Sequence, residues 1–191
     1  MTDDPLMTAK QFLDARYDLP ESGQWAELES GKVTILQPPD LDHGNTVLNL
    51  SKAFAEFIQK SELGYACFDL GMLMESTPDT IRFPAACYYL TGPRFAETDK
   101  PFTPKVPELV IELASTADRR GIISKRVEDY LAWGVAAVWA IDPQRLEVAV
   151  ISRDTQAVTL GKSEILVHQS LLPEFSCPVE KLFEEPSWWA G

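Results

Sequence analysis

Blocks of apolar and polar residues alternate along this chain and predict a mixed α/β fold. Over 41–64, apolar residues recur at helical spacing on one face, and Gly64 follows as a helix stop. That face carries Val47, Leu50, Phe54, Phe57 and Ile58. The segment 107–115 is almost continuously apolar, which is typical of a strand buried on both faces. An amphipathic helix then ends at Gly134 and a second apolar strand covers 135–142, so we expect the two strands to be parallel neighbours.

Shorter elements are predicted on either side of this strand–helix–strand unit. In chain order they are a helix over 8–16 capped by Thr8, a hairpin turning at Ser30-Gly31, strands over 65–75 and 81–90, a proline-rich loop over 92–106, an antiparallel meander over 145–167 and a closing segment over 171–183. We therefore expect one central sheet, a long N-terminal helix and a crossover helix.

Length and composition bound the class of protein. A chain of 191 residues with 45% hydrophobic content can build one sizeable core, so we expect a single domain over 1–191. Within it, 1–40 would form an N-terminal helix and hairpin, 41–143 the core, and 144–191 the meander and tail. No stretch approaches the roughly 18 apolar residues of a membrane span. The acidic N-terminus lacks the apolar region of a secretory signal.

Cysteine usage and charge add two further expectations. Cys67, Cys87 and Cys177 are odd in number and lack a CxxC spacing, which indicates reduced thiols in a cytoplasmic protein and argues against a zinc site. The formal charge is −12 and the pI about 4.6, so the surface as a whole repels nucleic acid at long range. A local basic patch or a bridging metal ion is still compatible with phosphate binding. Trp188 and Trp189 are candidates for an exposed tail or a dimer contact.

One carboxylate stands out because it lies inside an apolar strand. Glu112 is at the end of the segment 107–115, just before a polar break. A buried, unpaired carboxylate costs several kcal/mol, so it needs a partner or a metal ion. Either the following turn satisfies Glu112, or it belongs to a site at the strand end, where α/β sheets tend to bind ligands.

Six segments in order resemble the Uma-type family of restriction-endonuclease-like proteins, within the PD-(D/E)xK phosphodiesterase superfamily. They are "MTAKQFLDA", "AELESGKV", "DHGNTVLNLSKAF", "IRFPAACYYL", "PELVIELAS" with "GVAAVWAIDP", and "LLPEFSCPVEKLF". The resemblance covers nearly the whole chain. It implies a restriction-endonuclease-like fold, with a mixed β-sheet, flanking helices and an antiparallel β-meander extension.

The same resemblance implies Mg²⁺-dependent (or Mn²⁺-dependent) cleavage of DNA. In this chemistry two carboxylates hold the metal ion, which polarises the phosphate and activates water, while a lysine stabilises developing charge. Glu112 matches the strand carboxylate. The family's Arg-x-Pro-Asp element reads Arg82-Phe83-Pro84-Ala85, so an alanine replaces the second carboxylate.

The lysine position has changed as well. It lies fourteen residues after Glu112 and four before Tyr130, where this chain has Arg126. Arginine keeps the charge and can contact phosphate, but it does not exchange protons near neutral pH. On a helix whose core face is Ile123, Val127, Tyr130 and Leu131, Arg126 falls on the flank. The adjacent Lys125 points to solvent.

Several other residues are weaker candidates. Asp79, in the turn before the Arg-x-Pro element, could replace the missing metal ligand or serve only the turn; Asp69 and Glu75 are no stronger. His43 could contact a phosphate at the mouth of the site or make a helix-start hydrogen bond. Glu27 could reach the metal ion or pair with a basic residue such as Arg82. Arg82 itself could bind phosphate or neutralise nearby carboxylates.

The sequence therefore supports two hypotheses on function. One is a metal-dependent DNA endonuclease whose degenerate site leaves it weak or inactive, with Glu112 and Arg126 as the catalytic residues. The other is a non-catalytic binding or scaffolding module on a nuclease fold. A homodimer is expected only by analogy with enzymes that cut both strands with paired subunits.

Overall fold

The structure, a computed structural model, describes residues 6–153 and 155–186. The helices are α1 (Ala9–Arg16), α2 (Leu41–Ser61), α3 (Ala117–Trp133) and α4 (Val179–Leu182), with a 3₁₀ segment at Pro20–Gly23. The strands are β1 (Ala26–Glu29), β2 (Lys32–Ile35), β3 (Tyr65–Phe68), β4 (Gly71–Glu75), β5 (Thr80–Arg82), β6 (Ala86–Tyr89), β7 (Phe102–Thr103), β8 (Leu109–Leu113), β9 (Ala137–Asp142), β10 (Glu147–Ser152), β11 (Val158–Leu160), β12 (Ile165–His168) and β13 (Leu172–Pro178). The two Trp residues near the C-terminus lie outside the described residues.

The strands form three sheets rather than the single central sheet predicted. A six-stranded sheet has the order β11-β10-β9-β8-β6-β3, a five-stranded sheet the order β2-β1-β5-β4-β7, and β12 pairs with β13. The predicted strands over 65–75 and 81–90 each divide into two, with one half in each large sheet. Asp69 breaks the first with a φ of 53°, and Pro84, which has no N–H to donate, breaks the second. Periodicity alone cannot show that a strand changes sheets.

The strand–helix–strand unit is confirmed. β8 and β9 are parallel neighbours with Glu112 paired to Ala140, and every residue of β8 is buried. α3 connects the two strands and ends at Gly134, whose φ of 122° suits glycine. This unit fixes the position of Glu112 and of the α3 residues that face it.

An aromatic core holds α2 against the six-stranded sheet. The Phe54 ring stacks on Trp139 of β9 with centroids 6.0 Å apart, and Phe175 of β13 packs 5.4 Å from Phe54. All three side chains are buried. Burying an aromatic side chain contributes roughly 1.5–3 kcal/mol, so this cluster sets the tilt of α2 over the sheet.

The C-terminal meander is correct only in its first part. β10 and β11 continue the large sheet by antiparallel pairing, but β12 leaves it and pairs with β13. The closing segment packs on α2, where the Asn49 side chain donates to the carbonyls of Leu182 and Glu184. The predicted Thr8 cap and the hairpin at Ser30-Gly31 are both present. No helix of the described residues is long and apolar enough to cross a membrane.

Candidate active site

Strand register places Glu112 directly opposite the alanine of the Arg-x-Pro-Ala element. Ala86 of β6 pairs with Ile111 of β8, so the next residues outward, Ala85 and Glu112, face each other. Asp69 lies one step beyond the last β3–β6 pair, on the other side of Ala85. Asp69, Ala85 and Glu112 therefore form a row across three neighbouring strand ends.

This row forms one wall of a cavity of about 450 Å³. Its other walls come from β1 and the two residues before it, from the start of α2 and from the first turn of α3. The charged and polar residues on these walls are Gln24, Glu27, Asp40, His43 and Arg119. The aromatic ones are Trp25, Phe68 and Phe83. The cavity is thus both charged and apolar, with the strand-end carboxylate at its base.

A buried ion-pair cluster closes the base of the cavity. The Arg126 guanidinium donates through Nη1 and Nη2 to the two oxygens of Glu27, at 2.5 and 2.9 Å. Its Nε donates to Oε1 of Glu112 at 2.8 Å, and the Tyr130 hydroxyl donates to the same oxygen at 2.6 Å. Each of the three ionised side chains is at most 8% exposed. The cluster joins β1 of one sheet to β8 of the other through α3.

The charges in this cluster stabilise one another. Burial lowers the pKa of Arg126, but Glu112 and Glu27 outweigh burial, so its pKa lies well above the ordinary value. Burial raises the pKa of Tyr130 well above its usual range, so the phenol stays protonated and acts as a donor. Two carboxylates and one guanidinium leave a formal charge of −1 in the cluster.

Arg126 is therefore more central than the helical wheel predicted. Only 5% of it is exposed, whereas Ile123 and Val127 of the expected core face are only half-buried. The placement on the flank was wrong because the wheel ranked positions by apolar residues, while the buried face of α3 is centred on a charge with carboxylates opposite it.

The donor set does not fit a resident Mg²⁺ ion as it stands. Both oxygens of Glu27 are occupied, by Arg126 and by the backbone N–H of Phe83. Oε1 of Glu112 is occupied too, which leaves Oε2, and Ala85 supplies no ligand. Within 6–153 and 155–186, no group of three or more His, Cys, Asp or Glu side chains could hold a metal ion. Mg²⁺ requires near-octahedral oxygen ligands, so one free carboxylate oxygen gives little selectivity or affinity.

His43 lies on the cavity wall and makes the helix-start hydrogen bond considered for it, while a phosphate contact stays a prediction. Its backbone N–H donates to Asp40, as in a helix-start hydrogen bond, and its Nδ1 lies 2.8 Å from the Ser115 hydroxyl. Burial first, and then the Arg119 charge, lower its pKa from 6.5 to about 4. The imidazole is therefore neutral at pH 7, and its ring edge contacts Trp25.

Arg82 and Asp79 are not brought into the cavity. Arg82 pairs with Asp129 at 2.7 Å and with Glu29 at 3.6 Å, and Lys125 reaches the same Asp129 from solvent, as expected for an exposed lysine. Arg82 therefore neutralises carboxylates on the outer side of α3, and the partner of Glu27 is Arg126 instead. Asp79 accepts hydrogen bonds from the backbone of Ala9 and Thr77, so its carboxylate serves the turn and the start of α1.

Two residues of the cavity were not singled out as strong candidates. Arg119 resembles an ordinary first-turn helix residue in the sequence, yet it is only 9% exposed and lines the cavity. Asp69 was set aside, but it lies beside Ala85, the position of the missing carboxylate; burial raises its pKa, partly offset by Arg16. Register continued from β3 to β6 would have shown this position, had the division of the strands been known.

Comparison with known proteins gives the family and the fold. The model of the family described as "Putative restriction endonuclease", Uma2, matches residues 11–180. A crystal structure of "a putative nuclease belonging to DUF820" from Anabaena variabilis ATCC 29413 superposes with a TM-score of 0.74 at 18% identity, covering 93% of this chain and 97% of that one. No curated protein matches the sequence significantly. The chain belongs to the Uma2 family of putative restriction endonucleases and has the mixed α/β fold of that solved nuclease-like structure.

Proposed function

We propose that this chain is a nuclease-fold protein whose Mg²⁺- or Mn²⁺-dependent cleavage of DNA is lost or severely weakened, because an internal ion pair takes the place of the metal centre. The observation that carries the proposal is the Arg126 fork between Glu27 and Glu112. The guanidinium supplies the positive charge that a metal ion would supply, beside the strand carboxylate. It provides no coordination site and no exchangeable proton near neutral pH.

Ala85 supports the same conclusion from the other side of Glu112. A carboxylate at position 85 would face Glu112 across the β6–β8 ladder and give two ligands from neighbouring strands. Among the described residues, the alanine leaves Oε2 of Glu112 as the one carboxylate oxygen of this strand pair for which no hydrogen bond is found. The chemistry therefore lacks a metal ligand and a proton-exchanging lysine, while the cavity itself persists.

The persistence of the cavity favours a binding role for the site. Its volume of about 450 Å³ lies within the range of roughly 300–1,000 Å³ that is usual for ligand pockets. DNA remains the partner class that the family description suggests. The homodimer and the cytoplasmic location remain predictions from the sequence.

Four variants test the proposal with metal binding and cleavage measured separately. Calorimetric Mn²⁺ titrations and plasmid cleavage assays would compare the unmodified chain, Ala85→Asp, Arg126→Lys and the double variant. We expect no cleavage from the unmodified chain, and Mn²⁺ binding that appears with Ala85→Asp and strengthens in the double variant. Glu112→Gln in each background is the matched control, because it removes charge without changing shape.

The contrary result is equally specific. If the unmodified chain cleaves DNA in Mg²⁺ and Glu112→Gln abolishes that cleavage, the ion pair does not silence the site and the proposal is wrong. If the double variant binds Mn²⁺ but does not cleave, the missing ligand explains metal loss alone, and the claim about catalysis fails.

A further inference from the structure

Arg119 is a buried cation on the cavity wall without a counter-ion. It is 9% exposed, and its Nη1 donates to the Gln37 carbonyl at 2.6 Å and to the Thr116 hydroxyl at 3.0 Å. These two bonds fix one arm of the guanidinium. In the part of the chain that the structure describes, Nε and Nη2 make no hydrogen bond, and no carboxylate forms an ion pair with Arg119.

A mostly buried guanidinium without an ion-pair partner is costly, because its charge has lost much of its hydration. Burial lowers the pKa of Arg119, and the carboxylates Asp118, Glu112 and Glu27, none of which forms a direct ion pair with it, offset this only partly. Glu27 and Glu112 are already held by Arg126. An anion in the cavity would supply the missing partner.

The residues around Arg119 indicate which chemical groups the anion would have besides its charge. The guanidinium carbon lies 5.3 Å from the centre of the Trp25 ring, and the His43 ring meets Trp25 edge-on at 5.8 Å. The half-buried rings of Phe68 and Phe83 line the same cavity. A planar, fork-shaped donor suits phosphate, and aromatic walls suit a flat organic group. The first turn of α2, with its positive helix end, also lines the cavity.

We propose that this cavity binds a mononucleotide, with the phosphate on Arg119 and the base or sugar against the aromatic walls. A single nucleotide suits the site better than a continuing strand. Asp40 and Asp69 line the cavity and are exposed, so a neighbouring phosphate at the opening would meet negative charge. The net charge of −12 acts in the same direction. This binding requires no metal ion and no cleavage, so it stands apart from the proposed loss of activity.

The test is calorimetric titration in EDTA with three probes: 2′-deoxyadenosine 5′-monophosphate, inorganic phosphate and a short single-stranded oligonucleotide. We expect the mononucleotide to bind the unmodified chain more tightly than either of the other two. Arg119→Met should weaken its binding by about tenfold or more, since a hydrogen-bonded charge is lost, and Arg119→Lys should fall between. Arg94→Met is the matched control, because Arg94 is exposed in the loop after β6 and does not line the cavity.

A second variant blocks the space without changing the charge. Gly44 lies on the face of α2 that lines the cavity, and a Cβ added there would meet no atom within 4 Å. Gly44→Leu should therefore weaken nucleotide binding while the chain stays folded, which circular dichroism would check. This variant separates occupation of the cavity from any effect of Arg119 on folding.

Several results would overturn the inference. Equal nucleotide binding by the unmodified chain and by Arg119→Met would exclude Arg119 as the phosphate ligand. Undetectable nucleotide binding by the folded, unmodified chain would exclude the site. If inorganic phosphate bound as tightly as the nucleotide, the aromatic walls would have no role in binding. If the oligonucleotide bound more tightly than the mononucleotide, the single-nucleotide assignment would be wrong. Because every titration excludes metal, none of these results depends on whether the chain cleaves DNA.

Discussion

At the scale of single residues, the main feature is one guanidinium shared by two carboxylates. Arg126 is 14 residues from Glu112 but 99 residues from Glu27 along the chain. The family pattern identified the first relationship, because the spacing lies within one strand–helix unit. The second could not be predicted, because it depends on how β1 packs beside α3. The sequence analysis considered Arg82 as a partner of Glu27, but in the structure Arg82 forms an ion pair with Asp129.

Removal of Arg126 should destabilise the fold strongly. Arg126→Met would leave Glu27 and Glu112 buried without an ion-pair partner, at a cost of roughly 3–5 kcal/mol in the free energy of unfolding. Arg126→Lys should cost less, because it keeps the charge and loses the two-pronged geometry. Urea unfolding measures both. The control is Lys125→Met, one residue away on the same helix with a 68% exposed side chain, which should change little. Equal stabilities for Arg126→Met and Lys125→Met would refute the assigned role of the cluster.

His43 should make the protein less stable in mild acid. Its pKa is about 4 in the folded chain and about 6.5 when unfolded, because of burial and then Arg119, partly offset by Asp40. Between these pH values the unfolded chain binds a proton that the folded chain does not. Stability therefore falls as the pH drops from about 6.5 to about 4, by up to about 3 kcal/mol, and changes no further below that from this group.

His43→Gln should remove most of this slope in urea unfolding measured across the same pH range. A smaller slope should remain, because burial also lowers the pKa of His168. An unchanged slope in His43→Gln would show that other groups account for the acid sensitivity.

At the scale of elements, the sequence pattern predicted the helices and strands whose neighbours in space are also neighbours along the chain. β8, α3 and β9 follow one another in sequence and in space, and their apolar runs and Gly134 stop were sufficient. The segments 65–75 and 81–90 gave the wrong number of strands, since their halves pair with different partners. The ion-pair cluster is also non-local, because it joins β1, β8 and α3. Sequence spacing therefore identified the strand carboxylate, but could not show that Arg126 would occupy its oxygen.

Two glycines near the ends of α2 should respond in opposite directions to alanine. Gly44 lies inside the helix with open space at its Cβ position, so Gly44→Ala should stabilise the protein by up to about 1 kcal/mol. Gly64 connects α2 to β3 with a φ of 67°, and an added Cβ would lie 2.3 Å from the Tyr89 carbonyl oxygen. Gly64→Ala should therefore cost more than about 2 kcal/mol. Thermal unfolding compares the pair, and two effects of the same sign would contradict the geometry.

At the scale of the whole molecule, the net negative charge of the chain is unfavourable for the DNA binding that a nuclease-like fold suggests. The chain has the fold of a nuclease-like protein, and phosphodiester cleavage of DNA normally benefits from a positive surface that attracts the substrate. This chain instead carries a charge of −12, and its cavity combines one unpaired arginine with exposed carboxylates. The long-range repulsion of nucleic acid stays a prediction from composition, which could not show that the buried Arg119 would lie on the cavity wall.

Because of this negative charge, we expect an unusual dependence of oligonucleotide affinity on salt. A typical DNA-binding protein loses affinity as salt rises, since the release of counter-ions from the phosphates is less favourable in concentrated salt. Here added salt should screen repulsion between the acidic surface and a polyanion. The affinity for a short oligonucleotide, divided by the affinity for a mononucleotide, should therefore stay level or rise between about 20 and about 200 mM KCl. Fluorescence anisotropy of a labelled oligonucleotide, with unlabelled mononucleotide as competitor, gives both affinities. A steep loss of oligonucleotide affinity with added salt would instead reveal a basic surface strong enough to override the net charge. Duplex or single-stranded DNA, and not a mononucleotide, would then be the favoured ligand of this chain.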